Sequence, residues 1–252
     1  MRVLLSNDDG YTAKGLRILA ESLKKIVDLQ VVVPESNCSG VSNSLTLNRP
    51  LNVNVDCNGF FIVNGTPTDC VHLSLTGLLD KKPNIVIAGI NNGANMGNDI
   101  LYSGTVAAAR EACVFGIPSM AFSLTGKGWE HIDTAVKFAI VLIKNYIKNP
   151  INGKFLLNIN IPNVPSSQIN GIVITKLGKR DHSKDLIRAS NPYGETVYWI
   201  GAVGSPIECI EGTDFYVTSR NFISVTPLLT GVDSSVVDDK SIFNEWLSNI
   251  KI

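Results

Sequence analysis

An α/β fold with a Rossmann-like, mostly parallel sheet and helices on both faces is what this sequence predicts, and three observations predict it. Short apolar runs alternate with segments of helical periodicity from the N-terminus to about residue 161. Those runs are near-continuous rather than alternating, the texture of strands covered on both faces. From residue 163 onward the texture changes to short β-rich pieces broken by Gly and Pro, which predicts a C-terminal extension ending in a helix. Residues 1–162 therefore read as a Rossmann-like core. Residues 163–252 read as an extension carrying a β-hairpin arm and a terminal helix, packed on the core and on partner subunits.

The first strand is Val3-Leu4-Leu5, and it stops at Ser6-Asn7-Asp8-Asp9-Gly10. Ligands of open α/β sheets bind beyond the carboxyl ends of the strands, so this strand delivers two carboxylates to the usual place for chemistry. Two such charges about 4 Å apart repel by roughly 4 kcal/mol at an effective dielectric near 20. A cation or a shared proton relieves that repulsion, whereas a solvated Asp-Asp-Gly turn needs neither. Leu16, Leu19, Ala20, Leu23 and Ile26 recur at helical spacing over 14–27, and 29–33 is a second apolar strand ended by Pro34. Strand, helix and strand make a βαβ unit. Its first turn has no G-x-G-x-x-G, which argues against a dinucleotide dehydrogenase.

Residues 34–49 form a polar, serine-rich loop leaving the second strand on the same edge as Asp8 and Asp9. Residues 51–55 and 60–63 flank Cys57-Asn58-Gly59 as a hairpin, and a helix capped by Thr68 or Asp69 runs through Leu79. A central strand over 84–90 enters the most unusual stretch of the chain, Gly89-Ile90-Asn91-Asn92-Gly93-Ala94-Asn95-Met96-Gly97-Asn98-Asp99. Such a loop lets the backbone approach a ligand closely, and its amides both donate and accept. Ser103 or Thr105 caps the next helix, whose first N–H groups lack internal partners and suit an anion. A strand over 117–123, a helix over 131–148 and a strand over 154–161 complete the core. In the extension, 171–177, 195–203, 214–217 and 223–227 read as short strands, 179–185 as a charged arm, and 234–247 as the final helix with Val236, Val237, Ile242, Phe243 and Trp246.

Composition narrows the function. Hydrophobic residues make up 44% and charged residues 17%, which fits a well-buried globular chain. Lys plus Arg balance Asp plus Glu at 22 each, so no basic field holds a nucleic-acid polymer. Cys38, Cys57, Cys70, Cys113 and Cys209 are odd in number and form no C-x-x-C pair, which suits a reducing, cytoplasmic setting better than a disulfide framework or a zinc site. The carboxylates come too early for a secretory signal, and no run approaches membrane-spanning length. His72 reads as a packing residue, and His131 and His182 have no ligand-spaced partner. Trp129, Trp199 and Trp246 read as core or interface anchors.

Asn7-Asp8-Asp9-Gly10, Ser39-Gly40 followed by Ser42-Asn43-Ser44-Leu45-Thr46, Gly65-Thr66-Pro67-Thr68-Asp69-Cys70, and Gly89-Ile90-Asn91 through Ser103-Gly104-Thr105 occur here in an order and spacing that resembles the survival-protein-E (SurE) family of 5′/3′-nucleotidases. Tyr198-Trp199-Ile200-Gly201 and Val225-Thr226-Pro227 resemble that family's C-terminal part. The resemblance implies one divalent metal ion per subunit, on Asp8, Asp9, Ser39 and Asn91. It implies phosphate contacts from Ser39, Gly40, Asn95, Ser103, Gly104 and Thr105. It further implies hydrolysis of nucleoside 5′- and 3′-monophosphates, action on short polyphosphate in some members, and homodimers or homotetramers that exchange C-terminal elements. Cys38 departs from the pattern, since many relatives carry arginine there.

The residues read on their own agree in chemistry. An all-oxygen donor set suits Mg²⁺ or Mn²⁺, and such an ion polarises a phosphoryl oxygen and activates water. Asp8 or Asp9 then serves as general base, or an aspartate attacks directly. Two functional classes fit this pattern: a metal-dependent phosphomonoesterase, and a non-catalytic nucleotide or metabolite sensor on the same core. The sensor needs the anion site but no acid–base carboxylate, so the paired aspartates favour the enzyme.

Overall fold

The computed structural model describes residues 1–229 and 239–250. Nine strands form one sheet in the order β3-β4-β2-β1-β5-β6-β7-β13-β8. Strands β1 (Arg2–Ser6), β2 (Asp28–Pro34), β4 (Phe61–Val63), β5 (Ile85–Asn92), β6 (Ser119–Leu124) and β7 (Leu156–Ile161) run parallel, and β3 (Val53–Val55) pairs antiparallel with β4 as the expected hairpin. The chain moves outward from β1 through β2, then returns to lay β5 on the other edge of β1. That reversal opens a crevice at the carboxyl ends of β1 and β5.

Strict alternation along the strands assigns each side chain to one of two apolar layers. Val3, Leu5, Ile85 and Ile87 face α1 (Lys14–Leu23) and α4 (Ile132–Lys148). Leu4, Val86 and Ala88 face α2 (Pro67–Leu73) and α3 (Gly104–Val114). Buried Leu16, Leu19 and Leu23 fix the inward stripe of α1, each contributing about 2 kcal/mol of burial. Ala107, Ala108, Ala109 and Ala112 are fully buried on α3, and their small size lets this helix lie close against the sheet. None of the described helices is long and apolar enough to cross a membrane, and none of the five cysteines is in a disulfide.

The sheet continues across the boundary expected at residue 162. Strand β8 (Gly171–Ile174) pairs parallel with β13 (Phe222–Pro227), and β13 pairs antiparallel with β7. Between β8 and β13 the chain leaves the sheet as an arm. Its base is β9 (Lys179–Arg180) against β12 (Pro206–Glu208), and its tip is the hairpin β10 (Ile187–Ser190) and β11 (Thr196–Trp199). The terminal helix α6 (Lys240–Ser248) is capped by Asp239 and buries Phe243 and Trp246. The part of that helix expected before residue 239, with Val236 and Val237, lies outside the described residues.

Three local expectations are corrected. Residues Asp214–Thr218 form helix α5, not a strand, because Thr213 caps the turn and Asp214, Phe215 and Val217 are buried by tertiary packing that overrides the β preference of Tyr, Val and Thr. Helix α2 is capped by Thr66, not Thr68 or Asp69. Pro67 occupies its first turn, and Asp69 returns a bond to the Thr66 N–H, completing a reciprocal capping box. Helix α1 ends at Leu23, short of Val27.

Candidate active site

Asp8 lies two residues beyond the end of β1 and is almost fully buried. The turn after it is fixed by Asn7, whose Nδ2 donates to the Gly10 carbonyl at 2.9 Å. The serine-rich loop is anchored to the same place, since the Cys38 N–H donates to the Asp8 carbonyl at 2.7 Å. The Asp8 carboxylate meets the N-terminus of α3. The Thr105 hydroxyl donates to its Oδ1, and the Thr105 backbone N–H also favours its charged form. Gly104 makes the approach feasible: a Cβ there would lie 2.7 Å from Asp8 Cβ and 3.0 Å from Oδ2. Any side chain at 104 would push the carboxylate off the helix.

Asp9 is less buried and faces the neighbouring strand end. Its Oδ2 accepts from the Asn92 N–H at 3.2 Å, and its Oδ1 lies 3.4 Å from Asn37 Nδ2. Asn37 Oδ1 in turn accepts from the Ser39 N–H at 2.8 Å, which ties the Ser39-Gly40 turn to Asp9. Asn91 and Asn92 reach this position through an irregularity. The β5–β6 register shifts between Ala88 and Asn91, and bulges of this kind re-aim side chains next to active sites. Gly89 permits it, because a Cβ there would lie 2.4 Å from the Phe122 carbonyl oxygen. Asn91 donates through Nδ2 to the Gly93 carbonyl at 2.8 Å, so its Oδ1 is the atom available as a ligand.

Electrostatics mark the pair as unusual. Burial pushes the Asp8 carboxyl up to about 6; the Thr105 hydrogen bond opposes this and the Asp9 charge reinforces it. Asp9 is also raised, chiefly by burial, with the Asn92 N–H opposing. Two carboxylates that are costly to ionise side by side are what a cation stabilises. Among the described residues no cluster of three or more His, Cys, Asp or Glu exists. A donor set limited to two carboxylates plus Ser39 and Asn91 oxygens fits a hard divalent ion that keeps several waters.

The remaining expected residues divide. Ser103 is the N-cap of α3, its Oγ accepting from the Val106 N–H at 3.1 Å, which leaves the first N–H groups of the helix facing Asp8 and the crevice. Gly40 has open space around its Cα and a φ of +80°. Thr105 is fully buried, so its hydroxyl positions Asp8 rather than reaching outward. Asn95 is tied to β6 and β7: its N–H donates to Asn160 Oδ1 at 2.9 Å, its Nδ2 to Ser123 Oγ at 2.8 Å, and its carbonyl accepts from Asn158 and Asn160. His72, read as packing, pairs with Glu111 of α3 at 2.8 Å.

Sequence reasoning missed two positioning residues. Asn160, on β7, holds the Asn/Gly loop from 65 residues away. Asp214 accepts from the Gly97, Gly178 and Phe215 N–H groups, each at 2.8 Å, and so joins the Asn/Gly loop, the root of the arm and α5. The only signals were a buried-strand Asn and an Asp before a β-forming run, both too common to single out.

The chain matches the family model described as Survival protein SurE over residues 3–184. The crystal structure of the SurE protein from Aquifex aeolicus superposes on it with a TM-score of 0.81 and 39% sequence identity, covering 97% of this chain and 100% of that one. The match spans both carboxylates, the Ser-Gly turn and the Asn/Gly loop, and the chain accordingly belongs to the SurE survival-protein family, a family of nucleotidases and phosphatases.

Proposed function

We propose that this protein is a metal-dependent phosphomonoesterase that hydrolyses nucleoside 5′- and 3′-monophosphates, with short polyphosphate as a secondary substrate. The observation that carries the reading is the paired Asp8 and Asp9 at the crevice between β1 and β5, one pressed against a helix N-terminus. A sensor would gain nothing from two buried carboxylates of raised pKa beside an anion site.

Asp8, Asp9, Ser39 and Asn91 would hold one Mg²⁺ or Mn²⁺. When bound, the ion supplies charge neutralisation and polarises the phosphoryl oxygen. Ser103 and Gly104, at the start of α3, orient the phosphate through backbone N–H groups, with the Ser39-Gly40 turn on the opposite side. Asp8 is fixed by Thr105 and serves as anchor. Asp9, the more open of the two, takes the proton from the attacking water. Asn95, locked by Asn158 and Asn160, sets the shape of the loop that carries Asn91. The protein acts in the cytoplasm as a homodimer or homotetramer built through its C-terminal elements.

Phosphate release from a nucleoside monophosphate, measured across a metal series, tests this reading. Chelator-stripped protein should be inactive and recover with Mg²⁺ or Mn²⁺. Undiminished turnover in excess chelator would overturn it.

A further inference from the structure

Both halves of the proposed phosphate cradle lean on one short turn. The 3-10 turn Gly97–Leu101 runs directly into Tyr102 and Ser103, the cap of α3. The loop that carries Ser39 and Gly40 rests on its end: the Ser42 N–H donates to the Tyr102 carbonyl at 3.1 Å and the Ser42 hydroxyl to the Leu101 carbonyl at 2.7 Å. A shift of Leu101 and Tyr102 therefore moves Ser39-Gly40 on one side of the crevice and Ser103-Gly104 on the other. At its entry the turn is fixed by Asp214, which accepts from the Gly97 N–H at 2.8 Å.

Its middle is fixed from the arm. Arg180 Nε lies 3.0 Å from Asp99 Oδ2, its Nη1 donates to the Gly204 carbonyl at 2.7 Å, and the guanidinium stacks 4.9 Å from the centre of the Phe215 ring. The cation is thus held by the returning leg of the arm and by α5 before it meets the turn. Its Nε makes no well-aligned hydrogen bond, so charge rather than direction joins it to Asp99. The two side chains are 16% and 25% exposed, so salt screens this pair less than a surface pair. The Asp99 backbone is built into the turn: its N–H donates to the Met96 carbonyl at 3.2 Å, and its carbonyl accepts from the Tyr102 N–H at 3.0 Å. Asp99 therefore links the arm to the residue just before the α3 cap.

We propose that Arg180 and Asp99 are positioning residues for the phosphate. Neither touches it. Their pair sets the spacing between the Ser-Gly turn and the first turn of α3, acting through Tyr102 and Ser42, and so sets how well the N–H groups on the two sides converge on one anion. Without the pair, Asp214 still holds Gly97 and Gly178, so the fold persists and the misplacement falls on the cradle. The proposal rests on the phosphomonoesterase reading for the identity of the anion, and it adds that the base of the arm controls how tightly that anion is held.

The test measures phosphate binding apart from turnover, with assembly monitored by light scattering. Calorimetry with inorganic phosphate and Mg²⁺ on the full chain should show Kd raised about tenfold in Arg180→Met and in Asp99→Asn, the scale of one charge-assisted contact. The double variant should bind within about twofold of either single one, because the two residues act as a unit. Arg180→Lys keeps the charge and should recover to within about threefold of the parent. With a nucleoside monophosphate, KM should rise in step with the phosphate Kd while kcat falls less. Trp246→Phe, a destabilising change in the terminal helix, should leave the phosphate Kd unchanged, which separates positioning from general loosening. Unchanged phosphate binding in Asp99→Asn, losses that multiply in the double variant, an equal loss in Trp246→Phe, or a loss that follows a change of assembly would each overturn the proposal. So would a parent that binds no phosphate at millimolar concentration. A parent that binds phosphate yet releases none from any monoester would overturn the phosphomonoesterase reading alone.

Discussion

The central strands and the arm hairpin are both apolar, yet they end in opposite environments. β6 (Ser119–Leu124) and β7 (Leu156–Ile161) are buried at every residue. β11 (Thr196–Trp199) carries Val, Tyr and Trp and is almost wholly exposed, as are Ile187, Tyr193 and Ile200 around it. The central strands are flanked on both edges and capped by helices on both faces. The hairpin is a two-stranded ribbon with neither, a form that is marginal by itself in water. Apolar sequence therefore states that a segment will be covered, not what covers it. In the core the same chain supplies the cover; on the arm, the proposed homo-oligomer would supply it.

The most severe way to break the comparison acts on the core. Asp9→Asn should cut phosphate release by at least about a hundredfold, the scale for loss of a catalytic acid–base group, with an unchanged circular dichroism spectrum. An Asp9→Asn enzyme as fast as the parent would remove the basis for the site. Next is the joint between the two regions. Asp214→Ala strands three buried N–H groups and should cost about 3 kcal/mol or more in urea unfolding; a cost below about 1 kcal/mol would contradict the role given to it.

A third prediction concerns pH. Asp8 has a folded pKa of about 6, above its unfolded value near 4, so between these limits the folded state binds more protons than the unfolded one. Stability of the metal-free protein should therefore fall as pH rises from about 4 to 6, by up to ~3 kcal/mol, and stay reduced above that. A divalent ion favours the ionised pair, so Mg²⁺ should raise Tm more at pH 7 than at pH 5. Asp8→Asn should flatten both trends; a variant that retains them would place the titration elsewhere. The smallest stability effect is expected from the arm. Replacing 187–199 by a short glycine linker should change unfolding free energy by less than about 1 kcal/mol, since the hairpin buries little, yet lower the oligomeric state seen by light scattering. A full-length chain that is monomeric at micromolar concentration would refute the covering role.

How much was legible follows the same division. β1, β2, β5, β6 and β7 were readable because continuous apolar runs bounded by Pro, Gly or Asp admit few alternatives. Asp8, Asp9 and the Ser103 cap were readable because local chemistry at strand and helix ends is local in sequence. The burial of Thr105 against Asp8 was not, since it depends on contact across 97 residues. Nor was the locking of Asn95 by Asn158 and Asn160, which fixes the Asn/Gly loop from a strand more than sixty residues away. Asp214–Thr218 misled because its residue types favour strands while its cap and burial made it a helix.

The tripod centred on Asp214 has a consequence for how such proteins can be varied. Gly97 and Gly178 both crowd Phe215, where a Cβ would come within 2.8 and 2.6 Å of the ring. These three positions and Asp214 are thus packed as one unit, and a side chain at either glycine would displace the Phe215 ring. Within residues 179–208, Arg180 still stacks on Phe215 and pairs with Asp99, and the hairpin tip lies beyond that contact. The arm thus leaves and rejoins the core at points held by Gly178 and Asp214, so a change in its tip need not disturb the strand ends that carry Asp8 and Asp9.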